Sequence, residues 1–95
     1  MTIISVKLTF LIPHARSLKD KRMVTRSIID KTRHKYNISI AEVDTQDIRE
    51  KLTIGAAVVS GKHWHAVSIM DEIVRFMEAH TDAELISTQT EEQTC

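Results

Sequence analysis

The sequence predicts an α+β domain in which two amphipathic helices cover one face of a small antiparallel sheet. Two observations support this prediction. Several short segments alternate apolar and polar residues, as strands with one buried face do, and two longer segments repeat their apolar residues at helical spacing. The length of 95 residues suffices for one hydrophobic core and leaves no room for a separate module. We therefore predict a single domain over residues 1–95.

The first half of the chain predicts a strand followed by a helix. Residues 4–12 place an apolar side chain at every second position, and Pro13 ends this pattern, which predicts strand one. The segment SLKD at residues 17–20 has the form of a capping box, which predicts the start of a helix over residues 18–36. Asn37, a residue type that tolerates left-handed backbone, is expected to end this helix.

The rest of the chain predicts three further strands and one helix. The segment 38–43 is short and contains β-branched residues, and the segment 52–60 has the period-two alternation of side chains that a strand shows. We therefore predict strands two and three, with a polar loop between them. Apolar residues recur at i, i+3, i+4 and i+7 over residues 63–80, which predicts helix two. Residues 85–90 predict a weaker strand four, and residues 91–95 are expected to form a frayed tail.

This order of elements is the βαββαβ plan of ferredoxin-like domains, in which two helices lie on one face of a four-stranded antiparallel sheet. The other sheet face is left open, and the alternation places Leu11, Ala57 and Val59 on it. Such a face could bind another chain, or it could be an ordinary partly solvated surface. Because so short a chain is difficult to stabilise alone, we expect a homodimer formed through this face or through a sheet edge.

The composition disfavours several classes of protein. Cys95 is the only cysteine, which excludes an intramolecular disulfide or a cysteine-based zinc site, and a reducing, cytoplasmic location is expected. No segment approaches the roughly 18 apolar residues that a membrane span requires, so no membrane partner is expected. No serine lies in a nucleophile motif, and Cys95 is terminal. We therefore expect no catalytic residues, no cofactor and no enzymatic activity.

Two clusters invite a metal site without supporting one. His63 and His65 flank Trp64, but residues two apart diverge on a helix, and no further ligand lies at a recognisable spacing. Trp64 could cover the edge of the core or anchor a partner. Four carboxylates lie around the loop after strand two: Glu42, Asp44, Asp47 and Glu50. They could hold magnesium, but without a binding motif a solvated acidic loop is the better interpretation, and we expect no metal.

Charge is distributed unevenly along the chain, although the formal net charge at pH 7 is +0. Residues 1–50 hold ten Lys or Arg and six Asp or Glu, whereas residues 51–95 hold three and seven. Most of the basic residues fall in or beside helix one, where cations in the first turn oppose the helix dipole and do not serve stability. We therefore predict that this helix contacts phosphates. The predicted nucleic-acid-binding residues are Arg16, Lys19, Lys21, Arg22, Arg26 and Arg33.

Two further considerations bear on this prediction. The alternative is a solvated helix edge that Asp20 and Asp30 partly neutralise. The chain has only four aromatic residues, most of which fit core or helix positions, so no platform for stacking bases is indicated. If RNA binds, we expect recognition of its backbone and shape.

Short motifs along the chain resemble the small bacterial YlxP-like family. The most specific are SLKDKR at residues 17–22 and AEVDTQD at residues 41–47, and the resemblance extends from residue 3 to about residue 91. It implies a ferredoxin-like fold, a cytoplasmic location and a gene commonly found beside those of translation initiation factor two and ribosome-binding factor A. The family has no established reaction, and this gene neighbourhood implies a ribosome-associated role.

Two functional hypotheses follow. The first is a non-enzymatic, ribosome-associated or RNA-binding accessory protein whose partner is ribosomal RNA or a ribosomal subunit, with the acidic C-terminal segment disfavouring non-specific binding. The second is a homo-oligomeric interaction module or small-ligand regulatory module with no nucleic-acid role. A salt-dependent shift of RNA by the protein would distinguish the two.

Overall fold

The computed structural model describes residues 1–95 and contains four strands and two helices. In chain order these elements are β1 (Thr2–Leu11), α1 (Leu18–Lys35), β2 (Ser39–Asp44), β3 (Lys51–Ser60), α2 (His63–Ala79) and β4 (Glu84–Thr94). The predicted βαββαβ order is confirmed, and the bounds of β1, α1 and α2 differ from the predicted ones by no more than about two residues, as expected at element ends.

The four strands form one sheet in the order β2-β3-β1-β4, and all neighbouring pairs are antiparallel. This is the strand order of the ferredoxin-like fold, so the predicted fold class is confirmed. Both helices lie on the same sheet face: α1 packs on β2, α2 packs on β1 and β3, and the helices contact each other. Neither helix is long and apolar enough to cross a membrane.

The core lies between the helices and the central strands. Sixteen buried apolar residues form one cluster. Alternate residues of β1, from Ile4 to Phe10, contribute side chains that are at most 5% exposed, as the period of two predicted. Ile73 and Met77 of α2 are completely buried against them. The helix-facing sides of β1 and β3 are thus the sides that the alternation in their sequences indicated.

The start of α1 follows the prediction, whereas its end does not. The Oγ atom of Ser17 accepts a hydrogen bond from the backbone N–H of Asp20 at 3.1 Å, and the Asp20 carboxylate accepts one from the backbone N–H of Arg16 at 3.0 Å. The expected left-handed Asn37 was wrong, since Tyr36 ends the helix in an extended conformation and the chain passes directly into β2. The one residue with positive φ is Thr45, at 58°, in the loop after β2.

The predicted frayed tail at residues 91–95 was also wrong. Strand β4 continues to Thr94, and its last residues pair with the beginning of β1, where Thr94 lies opposite Thr2 and Glu91 opposite Ser5. The physical reason is that β1 begins at Thr2, and its backbone N–H and C=O groups on that side need partners. Backbone pairing therefore extends the strand through a polar sequence that has no apolar pattern of its own.

Neither helix covers the opposite face of the sheet, which is the open face. Lys7 lies on it and forms an ion pair with Asp44 at 3.0 Å, reaching across β3 to β2. A Cβ atom on Gly55 would lie 2.8 Å from Cγ1 of Val43, which is closer than carbon atoms pack. Val43 can therefore cover this part of β3 only because residue 55 is glycine. Val59, predicted on this face, is 66% exposed.

Candidate nucleic-acid interface

Helix α1 runs along β2, one of the two edge strands of the sheet. Near its C-terminal end, the Nη2 atom of Arg33 donates a hydrogen bond to the carbonyl of Ile40 in β2 at 2.9 Å. Near its N-terminal end, the Nζ atom of Lys21 donates to the carbonyl of Thr45, just beyond β2. These two contacts fix the helix against that edge of the sheet, with the side that carries Arg33 next to it.

Three basic side chains of α1 form an exposed arc on the same side of the helix as Arg33. Lys19, Arg22 and Arg26 are exposed and lie three and four residues apart, a spacing that aligns side chains on a helix. None of the five ion pairs in the structure includes any of them. Arg16, also exposed, lies in the turn before the helix. Together these four side chains, Arg16, Lys19, Arg22 and Arg26, form the cationic arc.

Lys21 does not belong to this surface, which corrects the prediction that it contacts phosphate. Its side chain is 1% exposed, and Nζ lies 3.2 Å from Oε2 of Glu42 in addition to its contact with Thr45. On α1 it shares a side with the buried residues Thr25 and Ile28, which follow at i+4 and i+7. The side chain is therefore held inside the protein. The motifs at residues 17–22 and 41–47 meet at this ion pair.

Arg33 and the helix N-terminus offer less to an anion than the sequence predicted. Arg33 remains exposed, but besides its bond to Ile40 its Nη1 atom lies 4.0 Å from the Asp30 carboxylate. The backbone N–H groups of Asp20 and Lys21 are already hydrogen-bonded to the side chain and carbonyl of Ser17. The attraction for a phosphate at this surface is therefore carried chiefly by the cationic arc.

Arg49, in the loop between β2 and β3, is a neighbouring cation that sequence reasoning missed. Its Nη1 atom lies 3.4 Å from the carbonyl of Arg16, and its Nη2 atom is paired with Glu50 at 2.8 Å. The two arginines are 33 residues apart in sequence, so no spacing pattern could have joined them. The fold brings them together because the β2–β3 loop lies beside the turn that precedes α1.

The histidines beside Trp64 and the carboxylates of the acidic loop do not form a set of metal ligands. His63 pairs with Glu92 at 3.0 Å, while His65 lies 3.4 Å from the hydroxyl of Ser60, and no group of three His, Cys, Asp or Glu side chains is close enough to share an ion. Trp64 is 67% exposed, so it does not cover the core edge. Three carboxylates of the acidic loop face cations, as Glu42, Asp44 and Glu50 pair with basic side chains.

Two features lie between the helices. A cleft of about 540 Å³ separates α1 from the end of α2 and is lined by His14, Lys31, His80 and Asp82 among others. Beside it, Tyr36 meets Phe76 edge-on, with ring centroids 5.4 Å apart. Desolvation of the phenol and, to a smaller extent, the nearby Glu72 carboxylate raise the pKa of Tyr36 above 10.0.

The fold and the cationic arc define a small ferredoxin-like α+β protein with a one-sided basic surface. Residues 3–90 match a family described as a protein of unknown function, DUF503. The chain is also 31% identical over 81 residues to the "Uncharacterized protein YlxP" of Bacillus subtilis (strain 168), an alignment that covers 85% of this chain and 88% of that protein. The protein belongs to the DUF503 family, and its resemblance to YlxP is confirmed.

Proposed function

We propose that this protein is a non-enzymatic RNA-binding accessory protein, acting at the ribosome, that contacts RNA phosphates through its cationic arc. The supporting observation is that Lys19, Arg22 and Arg26 are exposed, aligned and without carboxylate partners. Cations left unpaired in this way gain more from a phosphate than paired ones, because no internal ion pair has to be broken.

The distribution of charge supports the same proposal. The cationic arc borders β2 at one edge of the sheet, whereas Glu84, Glu91 and Glu92 lie on β4 at the opposite edge. A polyanion is therefore attracted to one side of the molecule and repelled from the other, which orients it during encounter. Sequence-specific reading is not part of the proposal, since the open sheet face carries no aromatic residue for stacking bases.

The proposal is tested by reversing charge on the arc and, separately, elsewhere. Arg22→Glu with Arg26→Glu should abolish binding to purified ribosomal subunits and to a fluorescent RNA hairpin, without lowering the thermal midpoint, because both side chains are exposed. The matched control is Lys62→Glu with Arg75→Glu on the α2 side of the molecule, which changes net charge equally. Co-sedimentation and fluorescence anisotropy measure the two affinities.

Salt dependence gives a second measurement of the same proposal. For the four cations of the arc, the logarithm of the association constant should fall with the logarithm of salt concentration at a slope of about −3. Base sequence should have little effect. If the arc variant binds ribosomal subunits as well as the wild type, or if the control variant loses as much affinity, the arc is only a solvated helix edge.

A homo-oligomeric or small-ligand module is the second candidate function. It is favoured by Val59, which is 66% exposed on the open sheet face, and by the cleft of about 540 Å³ between the helices. Sedimentation equilibrium should then give a homodimer at high micromolar concentration, and Val59→Lys should dissociate it. A mass of 10.8 kDa at every concentration would exclude a homodimer.

A further inference from the structure

A groove between α2 and β4 lies at the sheet edge opposite the cationic arc. Its volume is about 340 Å³. Ile4 and Val6 of β1 contribute to its lining from the sheet, and Val67, Met70 and Val74 contribute from α2. Helix α2 packs on β1 and β3, and the side chains of β4 that line the groove remain exposed. These are Thr88, Thr90 and Glu92.

The backbone edge of β4 continues this groove outward. Strand β4 is 11 residues long and pairs with β1 on one side, while its other side has no neighbouring strand. Its sequence contains no proline and no lysine, residues that often block an exposed edge, and the irregularity in its pairing with β1 lies at residues 85–87, before the residues that line the groove. The edge at β2 differs, since that strand has six residues and carbonyl groups at or beside it accept hydrogen bonds from Arg33 and Lys21.

The charges around the groove are mainly negative. Asp71 and Glu92 lie at its rim, and Arg75 is the one cation that lines it. Glu92 also contacts His63 at 3.0 Å, while Glu84 and Glu91 add two exposed carboxylates on the same strand. A phosphate-bearing partner is repelled by this surface, whereas a Lys- or Arg-containing one is attracted to it.

From these three features we propose that β4 and its groove bind an extended basic peptide of a partner protein by strand addition. The peptide backbone hydrogen-bonds to the free edge of β4, and alternate side chains point to the helix side, where apolar ones reach the groove. Basic residues at other positions on the same side of the peptide pair with Asp71 and Glu92, which also line the groove. This surface is separate from the cationic arc, so the inference does not depend on RNA binding.

The probe is the nine-residue peptide Thr-Lys-Thr-Val-Thr-Val-Thr-Lys-Thr, whose Lys and Val residues share one side of an extended strand. The readout is the backbone amide spectrum of the isotope-labelled full chain. We expect saturable shifts of β4 amides and none in β2. A peptide with Glu in place of Lys should not bind, because it meets like charge. The Lys-containing peptide with every backbone N–H methylated should not bind either, because neither of its edges can then donate hydrogen bonds to β4.

A pair of variants tests the role of the carboxylates. Asp71→Asn with Glu92→Gln should weaken peptide binding about 2- to 30-fold at low salt, the range for removing two exposed ion pairs. The matched control, Glu78→Gln with Asp82→Asn, removes two exposed carboxylates that do not line the groove and should leave affinity unchanged.

Several outcomes would overturn the inference. They are the absence of saturable shifts at millimolar peptide, shifts that map to β2, equal binding of the Glu peptide, or equal losses in both variants. Shifts of β4 amides caused by RNA would identify a nucleic acid as the occupant instead. A concentration-dependent shift of β4 in the protein alone, with a doubled mass in sedimentation, would identify a second copy.

Discussion

Replacing Lys21 by Met should destabilise the fold while leaving the cationic arc intact. The side chain is 1% exposed, and its Nζ atom serves both the Glu42 carboxylate at 3.2 Å and the carbonyl of Thr45. Met has a similar length and no charge. In the variant the Glu42 carboxylate loses its cation, and the Thr45 carbonyl loses a donor in a part-buried position.

The expected magnitude follows from the burial of the two partners. Removing one member of a buried ion pair costs about 3–5 kcal/mol. The Glu42 side chain is 20% exposed, but Oε2, the oxygen that faces Lys21, is buried, so water does not replace the lost cation there. We expect a loss of at least about 3 kcal/mol. For a domain of this size such a loss lowers the thermal midpoint by about 12–24 °C.

Urea denaturation followed by circular dichroism measures this loss, and a double-mutant cycle with Glu42→Met isolates the pair. The variant that carries both substitutions should regain most of the stability, because an apolar pair of similar volume replaces the charges. It should also bind ribosomal subunits as the wild type does, since the cationic arc is unchanged.

A cost below about 0.5 kcal/mol for Lys21→Met, the effect of an ordinary surface substitution, would contradict a structural role for this lysine. Additive effects of the two substitutions would contradict the ion pair, because the side chains would then not interact. Loss of RNA binding in the folded double variant would indicate that Lys21 contributes to phosphate binding.

Three further predictions test the core, the open face and the phenol. Phe10→Ala should lower stability by about 3–5 kcal/mol, because Phe10 is completely buried, and an unchanged thermal midpoint would mean that β1 faces the other way. Gly55→Ala should cost about 1–3 kcal/mol through the clash with Val43, and Val43→Ala should relieve it in urea titrations; an equal cost in both backgrounds would contradict the contact. Tyr36 is the only tyrosine, so phenolate absorbance should titrate above pH 10.0 in the folded protein and near that value in urea. Since the folded-state pKa is raised, the contribution of this phenol to stability is complete below pH 10.0 and is lost as pH rises through the folded pKa, and Tyr36→Phe should abolish that loss. Equal titration midpoints of the phenol in the folded protein and in urea would contradict the raised pKa of Tyr36.

The elements with strong periodicity could be predicted from the sequence, because burial of one face imposes the period directly. Residues 63–80 predicted α2, which spans His63–Ala79, and residues 4–12 predicted the buried side of β1. The end of β4 could not be predicted this way. Its length is set by backbone pairing with β1, a contact between the two ends of the chain that leaves no apolar pattern in residues 91–94.

The candidate site was predicted only in part, because exposure of a cation depends on what the fold places opposite it. Lys19, Arg22 and Arg26 face outward as expected. The helical spacing of Lys21 to Thr25 and Ile28 did indicate that it lies on the buried side of the helix. A lysine is nevertheless expected to be exposed to solvent unless an acidic partner for it is known. That partner, Glu42, comes from a different strand.

The two anchors of α1 have a thermodynamic consequence for its outer side. With Lys21 fixed near one end and Arg33 near the other, Lys19 and Arg26 keep a constant separation of about 10 Å along the helix axis. A partner that matches this separation need order only side-chain tips, because the backbone is already folded, so the conformational entropy that the protein loses on association is small. Calorimetry of the complex should accordingly lack the large negative heat-capacity change that accompanies folding on binding, and its temperature dependence should be that of a rigid, electrostatic contact.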